Sequence, residues 1–400
     1  MVQSMKILEL SHYFASHKGG VEAVADALAC AFADKDHEVT WMAGDTDHEP
    51  EVEGRIRMVP FPINNLIEKW TGVPFPVPLI RSLKIILREM RRADVLLLHD
   101  CLYLANILAY CAAKLRGIPI VIVQYTRVVP TGSVLLDLVI KVATAFVGNP
   151  MLSHAEQVIF IGNTAMGAYA HLRFRRPPEL IYCGVNTHLF RARSESETRS
   201  ALRSKHHLPE RRRIILFVGR FVQKKGLHAI KRMAALRPDC VWLLAGWGPI
   251  DPRKWGLDNV IALSGLDDLS IGELYRCCDL LVLPSVGEGG LPLVVREALV
   301  SGLPVVCGEE TRGADPGLAE LVTGAEVFVG DDDRTAREFL RAIDDVLHSE
   351  TEKSKTAERQ AFAASQFSWD AAGERYVEIA SRLVPPARSD AVESESRAEG

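Results

Sequence analysis

The chain has no CxxC pair and no regular cysteine framework; its eight cysteines, Cys30, Cys101, Cys111, Cys183, Cys240, Cys277, Cys278 and Cys307, are scattered over 400 residues. That excludes a disulfide scaffold or a zinc ribbon, and the thiols read as buried groups of a reducing compartment. Neither sign of charge dominates: the formal net charge is -4 and the isoelectric point about 6.3, so there is no basic footprint for a nucleic-acid partner. The twelve histidines show no HExxH or comparable spacing, and no metal site is expected. GxGxxG is absent, which removes the main support for a nicotinamide dehydrogenase, and the lack of GxxxxGK[ST] counts against a P-loop NTPase. His99 and Asp100 could pair, but without a GxSxG elbow they do not make a nucleophilic hydrolase. Long apolar runs are missing too. The most apolar stretch, Val134 to Val147, is interrupted by Asp137 and Lys141 and falls short of the ~20 residues of a spanning helix, so it reads as a buried or interfacial helix. Met1 leads almost directly into KILEL with no secretory pattern, and a cytoplasmic location is expected.

What is present is ordinary globular composition, 48% hydrophobic and 24% charged, at a length that suits two or three domains. Short apolar or β-branched runs recur at Lys6–Leu10, Glu38–Met42, Asp94–Leu98, Ile118–Val123 and Gln157–Ile161, separated mostly by helical patterns. The alternation restarts at Arg213–Val218, Val241–Ala245, Asn259–Leu263, Asp279–Leu283 and Pro304–Cys307. Such alternation predicts α/β architecture with parallel βαβ units in two domains of similar size. The charged segment Arg191–Arg213 lacks a sustained apolar face and is expected to be the linker. The boundaries are drawn at 1–190 for the first domain, 205–365 for the second, 366–384 for a last helix returning to the first, and 385–400 for a polar, disordered tail.

Three loops carry candidate chemistry. Gly19 and Gly20 follow the first strand and open a helix, where free N–H groups and a positive dipole end suit an anionic phosphate; a plain glycine turn is the alternative. The first strand of the second domain leads into RFVQKKG, with Arg220, Lys224, Lys225 and Gly226 facing the crevice of a doubly wound domain. A forked guanidinium and a point-charge ammonium, Arg220 and Lys225, suit a diphosphate, while Lys224 reads as solvated. In DLLVLPSVGEGGLPLVVREALVSGLPVV a buried strand ends in a glycine-rich turn with Glu288, Gly289, Gly290 and Leu291, and the next helix carries Glu297. Glycines there admit backbone N–H groups to phosphate and sugar oxygens, and carboxylates accept bonds from hydroxyls.

With KGGVE, IYCGVNTHLF, VGRFVQKKG, LLAGWGP, the Glu288–Glu297 segment and Trp369, the chain resembles glycosyltransferase family four over nearly all of residues 5–384. The resemblance implies the GT-B fold, two Rossmann-like domains facing each other across a deep cleft, and a retaining transfer of sugar from a UDP- or GDP-sugar. It further implies that Arg220 and Lys225 bind the donor diphosphate, Glu297 the ribose hydroxyls and Glu288 the transferred sugar. Gly19, Gly20, Gly289, Gly290 and Leu291 would complete the donor site, and Arg220, Lys225 and Glu288 would be the catalytic set. No cofactor is implied, since the nucleotide-sugar is a substrate. The pattern departs from the family in three places: nine positions instead of eight separate Glu288 from Glu297, Tyr125 stands where many members carry histidine as a possible sugar contact, and NGVD is CGVN.

The acceptor is expected to be a glycan or a lipid-linked molecule of cell-surface polysaccharide or glycolipid synthesis. Pro60–Pro78 is rich in proline and aromatics and suits gripping an apolar or sugar surface. RSLKIILREMRR places Arg81, Lys84, Arg88, Arg91 and Arg92 on one stripe with Leu83, Ile86, Leu87 and Met90 opposite, which fits either a solvated face over a core or a seat on an anionic membrane. Asp45-Thr46-Asp47 has the form of a DxD metal site but reads as a polar loop. Two further readings are a nucleotide-sugar epimerase and a catalytically silent sugar-nucleotide binder on the same fold.

Overall fold

The computed structural model of the protein describes residues 4–17, 20–45, 55–66, 75–125, 134–286 and 291–384, and of residues 134–137, 316, 318 and 350–356 the backbone alone. Glu288, Gly289, Gly290, Gly19, Thr46, Asp47 and the tail from 385 lie outside them. The chain divides into two compact units: Met1–Ile159 with His171–Glu179 and Gly373–Gly400, and Phe160–Ala170 with Leu180–Ala372.

Unit 1 is built on strands β1 (Lys6–Leu10), β2 (Glu38–Gly44), β3 (Ile56–Phe61), β6 (Val95–His99), β7 (Ile120–Gln124), β8 (Gln157–Phe160) and β9 (Glu179–Leu180), in the order β3-β2-β1-β6-β7-β8-β9. Two short strands, β4 (Ile63–Asn64) and β5 (Val77–Pro78), form a separate antiparallel ladder. β1 pairs in parallel with β2 and with β6, so the strand order reverses at β1/β6, the point where doubly wound sheets open a crevice. β6 and β7 are buried throughout, as expected of strands covered on both faces. Phe14 packs edge-on against Trp41, whose indole N–H donates to Ser11 Oγ at 2.8 Å.

Unit 2 carries β10 (Ile214–Arg220), β11 (Val241–Trp247), β12 (Val260–Leu263), β13 (Leu280–Leu283), β14 (Val305–Gly308) and β15 (Thr323–Ala325), ordered β12-β11-β10-β13-β14-β15 and parallel throughout. Here the reversal falls between β10 and β13. Ile214–Phe217, Val241–Ala245 and Leu280–Leu283 are almost fully buried and form the centre of its core.

Two stretches differ from the sequence expectation. Residues 181–190 pack on unit 2: Val185 N donates to Phe367 O at 2.5 Å, and Val185 and Phe190 join its core. The segment 191–213 is no solvated linker. It holds the helix Arg199–Lys205, capped by Thr198 Oγ1, and buries Leu202 and Arg203. Its arginines converge on Asp279: Arg203 at 2.8 Å, Arg199 and Arg213 at 3.0 Å each. Charge density alone reads as solvent-facing, but long arginine stems bury readily once their heads find carboxylates and carbonyls. The last helix, Trp369–Leu383, has Gly373 against Ala31, Tyr376 edge-on to Phe32 at 6.4 Å, and Lys35–Glu374 at 3.5 Å within unit 1.

Candidate active site

In unit 2 the reversal point positions the predicted cations. Arg220 ends β10 in register with Trp247, which ends β11, and its guanidinium lies 5.0 Å above the centre of that largely exposed indole ring. This cation–π contact holds the guanidinium at the carboxyl edge of the sheet. A tight turn, Gln223–Lys225, then presents half-buried Lys225 and exposed Lys224. Gly226 closes it at φ +75°, and a Cβ there would collide with the Pro284 carbonyl, so only glycine permits the two loops to meet. Val286 N donates to Lys224 O at 3.0 Å. The cationic loop after β10 and the loop after β13 are thereby fixed against each other, and the latter leads toward Glu288.

Glu297 lies on the helix Leu293–Val300 and is almost buried, with Oε2 accepting from the Tyr275 hydroxyl at 2.9 Å. Burial pushes its carboxyl up to about 7, against the lowering effect of the Tyr275 bond. The neighbouring Arg296 fixes this helix, donating to Leu291 O at 3.1 Å and to Cys183 O at 2.6 Å. Leu291 itself is buried in the core, so its side chain contributes packing. CGVN and the Glu297 helix, far apart in sequence, are thus joined by one guanidinium. Trp247 and Tyr275 were not singled out from the sequence. An aromatic directly beside a glycine-flanked strand end was the available signal for Trp247; Tyr275 gave none.

In unit 1, Gly20 opens the helix Gly20–Asp34 and is exposed, with open space where a Cβ would stand. At the carboxyl ends of β1, β6 and β7 the structure assembles polar groups in the interior. Tyr125, following β7, bonds through its hydroxyl to His99 Nδ1 at 2.5 Å, and His99 Nε2 meets Glu9 Oε1 at 2.7 Å. His99 does not pair with Asp100; Asp100 instead accepts from Leu102 N at 3.1 Å and Gln124 Nε2 at 3.2 Å. Burial pulls His99 down to about 3 and pushes Glu9 well above the usual carboxylate range. Burial thus disfavours the charged form of both groups, and Glu9, His99 and Tyr125 form one hydrogen-bonded chain in the interior. Nearby, His12 pairs with Glu22 at 3.0 Å and stacks on Tyr103 at 4.0 Å. Burial alone would raise Glu22, but its bond to His12 wins and holds it low.

A family profile described as Glycosyltransferase Family 4 matches residues 18–189, and one described as Glycosyl transferases group 1 matches residues 198–364. The chain belongs to glycosyltransferase family four. The D-inositol 3-phosphate glycosyltransferase of Streptosporangium roseum is 26% identical over 73% of this chain and 70% of its own length. Among solved structures, sucrose-phosphate synthase from Thermosynechococcus elongatus has a TM-score of 0.66 at 18% identity, covering 95% of this chain and 99% of that one. HepE from Anabaena, solved with UDP-glucose, has a TM-score of 0.65 at 19% identity over 94% of this chain and 100% of that one. The glycosyltransferase therefore has the GT-B fold, and its Arg220 loop, Pro284–Val286 loop and Glu297 helix all fall within the group 1 match.

Proposed function

We propose that this glycosyltransferase takes its sugar from a UDP- or GDP-sugar, with retention of configuration, and that the donor diphosphate lies at the reversal point of the second unit. The observation that carries this is the stacked Arg220 guanidinium beside the Lys225 turn, locked by Gly226 onto the loop after β13. As the bond from the anomeric carbon to the diphosphate breaks, negative charge grows on the leaving oxygen, and Arg220 and Lys225 meet it. The acceptor oxygen bonds to the same face of that carbon, and its proton passes to the departing phosphate. Glu297 takes the ribose hydroxyls, Glu288 and the glycines beside it the sugar, and Tyr125 a sugar hydroxyl. The two cations supply the charge neutralisation, so the reading needs no metal.

For the acceptor we favour a lipid-linked or glycan molecule presented at an anionic membrane. In unit 1 the helix Ile80–Met90 buries Ile86 and Met90 but exposes Ile80 and Leu83 along with Arg81 and Lys84, so Leu83 sits on the outward face and not opposite the basic stripe. In the helical run that follows Val134, Leu138, Val139, Val142 and Phe146 are exposed. Phe75, upstream of the first helix, stacks on Tyr103, and Gly148, at the end of the second helical run, lies beside Leu102. Exposed apolar groups flanked by cations suit a peripheral seat on anionic lipid. Among the described residues no helix is long and apolar enough to cross a membrane.

The test is a donor screen on the full chain by thermal shift, followed by product formation from the radiolabelled donor that binds. Labelled product that appears only when acceptor is present supports transfer. Donor isomerised without acceptor would show an epimerase, and binding without turnover over any acceptor would show a silent binder.

A further inference from the structure

The sheet of unit 2 has a second cavity-bearing edge, where strands begin. A cavity of about 520 Å³ opens there, lined among others by Arg193, Arg199, Arg213, Arg276, Asp279 and Ser301. Arg213 and Asp279 stand immediately before β10 and β13. The seven-residue β10 separates Arg213 from Arg220, roughly 20 Å at ~3.3 Å per residue, so this is not the proposed donor site.

The charges here do not balance. Among the described residues, four guanidiniums line the wall against the one carboxylate of Asp279. Behind it, Arg203 adds another contact to Asp279, while Glu197 is shared between Arg191 and Arg276, at 2.9 and 3.4 Å. One buried aspartate needs one good partner and has three arginines. Their crowding is costly: burial pulls the Arg199 guanidinium down, and although Asp279 opposes this, the charges of Arg203 and Arg193 add to it. Two polar atoms in buried side chains of the wall, Arg276 Nε and Ser301 Oγ, lack hydrogen-bond partners among the described residues. Buried donors left unmatched in a native protein call for a reason. A surplus of guanidinium forks is the usual complement to a tetrahedral oxyanion, and the volume lies in the range of small-molecule sites.

We propose that this cavity binds a phosphate-bearing small molecule, its oxygens held by Arg193, Arg199, Arg213 and Ser301. The shared chemistry is a phosphate group, either inorganic phosphate or a phosphate monoester whose body fills the rest of the cavity.

The full chain is titrated with inorganic phosphate and, separately, with glucose 6-phosphate at constant ionic strength, following thermal stability and heat of binding. Arg213→Ala removes a half-exposed fork, and Ser301→Ala removes a hydroxyl with no partner among the described residues, so the unliganded fold persists. A saturable rise in Tm is expected in the native chain. Each substitution should weaken binding about tenfold, the worth of one hydrogen bond to a charged group. Lys225→Ala should leave the response in place, which separates this site from the proposed donor diphosphate site. Tighter binding of glucose 6-phosphate than phosphate assigns an ester; equal or weaker binding assigns inorganic phosphate. No response to either ligand, or a response lost in Lys225→Ala and kept in both other variants, overturns the proposal.

Discussion

Glu297, proposed to hold the donor ribose, is a buried carboxyl bonded to Tyr275. Its carboxyl, raised to about 7 by burial, is protonated in the empty protein at mildly acid pH and ionised above it. Raised above the ordinary carboxylate value, it contributes stability that is fully present below about 4.5 and is lost as the pH climbs through about 7. Donor binding should run the other way, since the ionised carboxylate is the better acceptor for ribose hydroxyls. Affinity for the nucleotide-sugar is expected to rise, by roughly tenfold for a one-unit shift, as the pH goes from about 6 to about 8. Calorimetric titration of native protein and Glu297→Gln across that range checks this; a slope that survives in the glutamine variant assigns the titration elsewhere. The residues proposed from sequence lie in local patterns, and the structure gives their positions: Arg220 and Lys225 share the loop after β10, and Glu297 lies on the helix after the glycine turn. Tyr275, Asp279 and the Glu9–His99–Tyr125 chain could not be read, because each acquires meaning from a partner distant in sequence. His99 and Asp100 show the converse: adjacency suggested a pair, yet the strand end sends their side chains to different neighbours.

Strands were legible because buried parallel strands are unbroken apolar runs, and nearly all of those expected appear within a residue or two. The exceptions were edge strands such as the short β15 and β3, whose apolar run is broken by Arg57 and Pro60. Helix faces were harder. The segment 191–213 looked like linker until Asp279 collected its arginines, and the run from Val134, expected to be a buried or interfacial helix, exposes Phe146. That exposure supports the membrane reading at the scale of these helices. The full chain is expected to co-sediment with anionic vesicles at low salt, and less so as salt shortens the Debye length to about 8 Å at physiological ionic strength. Replacing both Arg81 and Lys84 with glutamate should abolish it while neutral vesicles stay unbound throughout. Equal absence of binding to neutral and anionic vesicles at low salt contradicts the reading.

Across the whole molecule, the two sheets each reverse strand order beside β1 and β10, and in unit 2 this reversal gathers the residues whose chemistry fits a departing diphosphate. The role proposed for Arg220 and Lys225 is electrostatic, and such a role belongs to the transition state more than to ground-state binding. The most direct measurement is steady-state turnover of the full chain carrying Arg220→Ala or Lys225→Ala, each shown by circular dichroism to be folded, with the donor and acceptor that give product. Each substitution is expected to lower kcat about a hundredfold or more, roughly 3 kcal/mol of barrier, with a smaller change in KM. Near-normal kcat in both folded variants would contradict the account, whatever happened to KM.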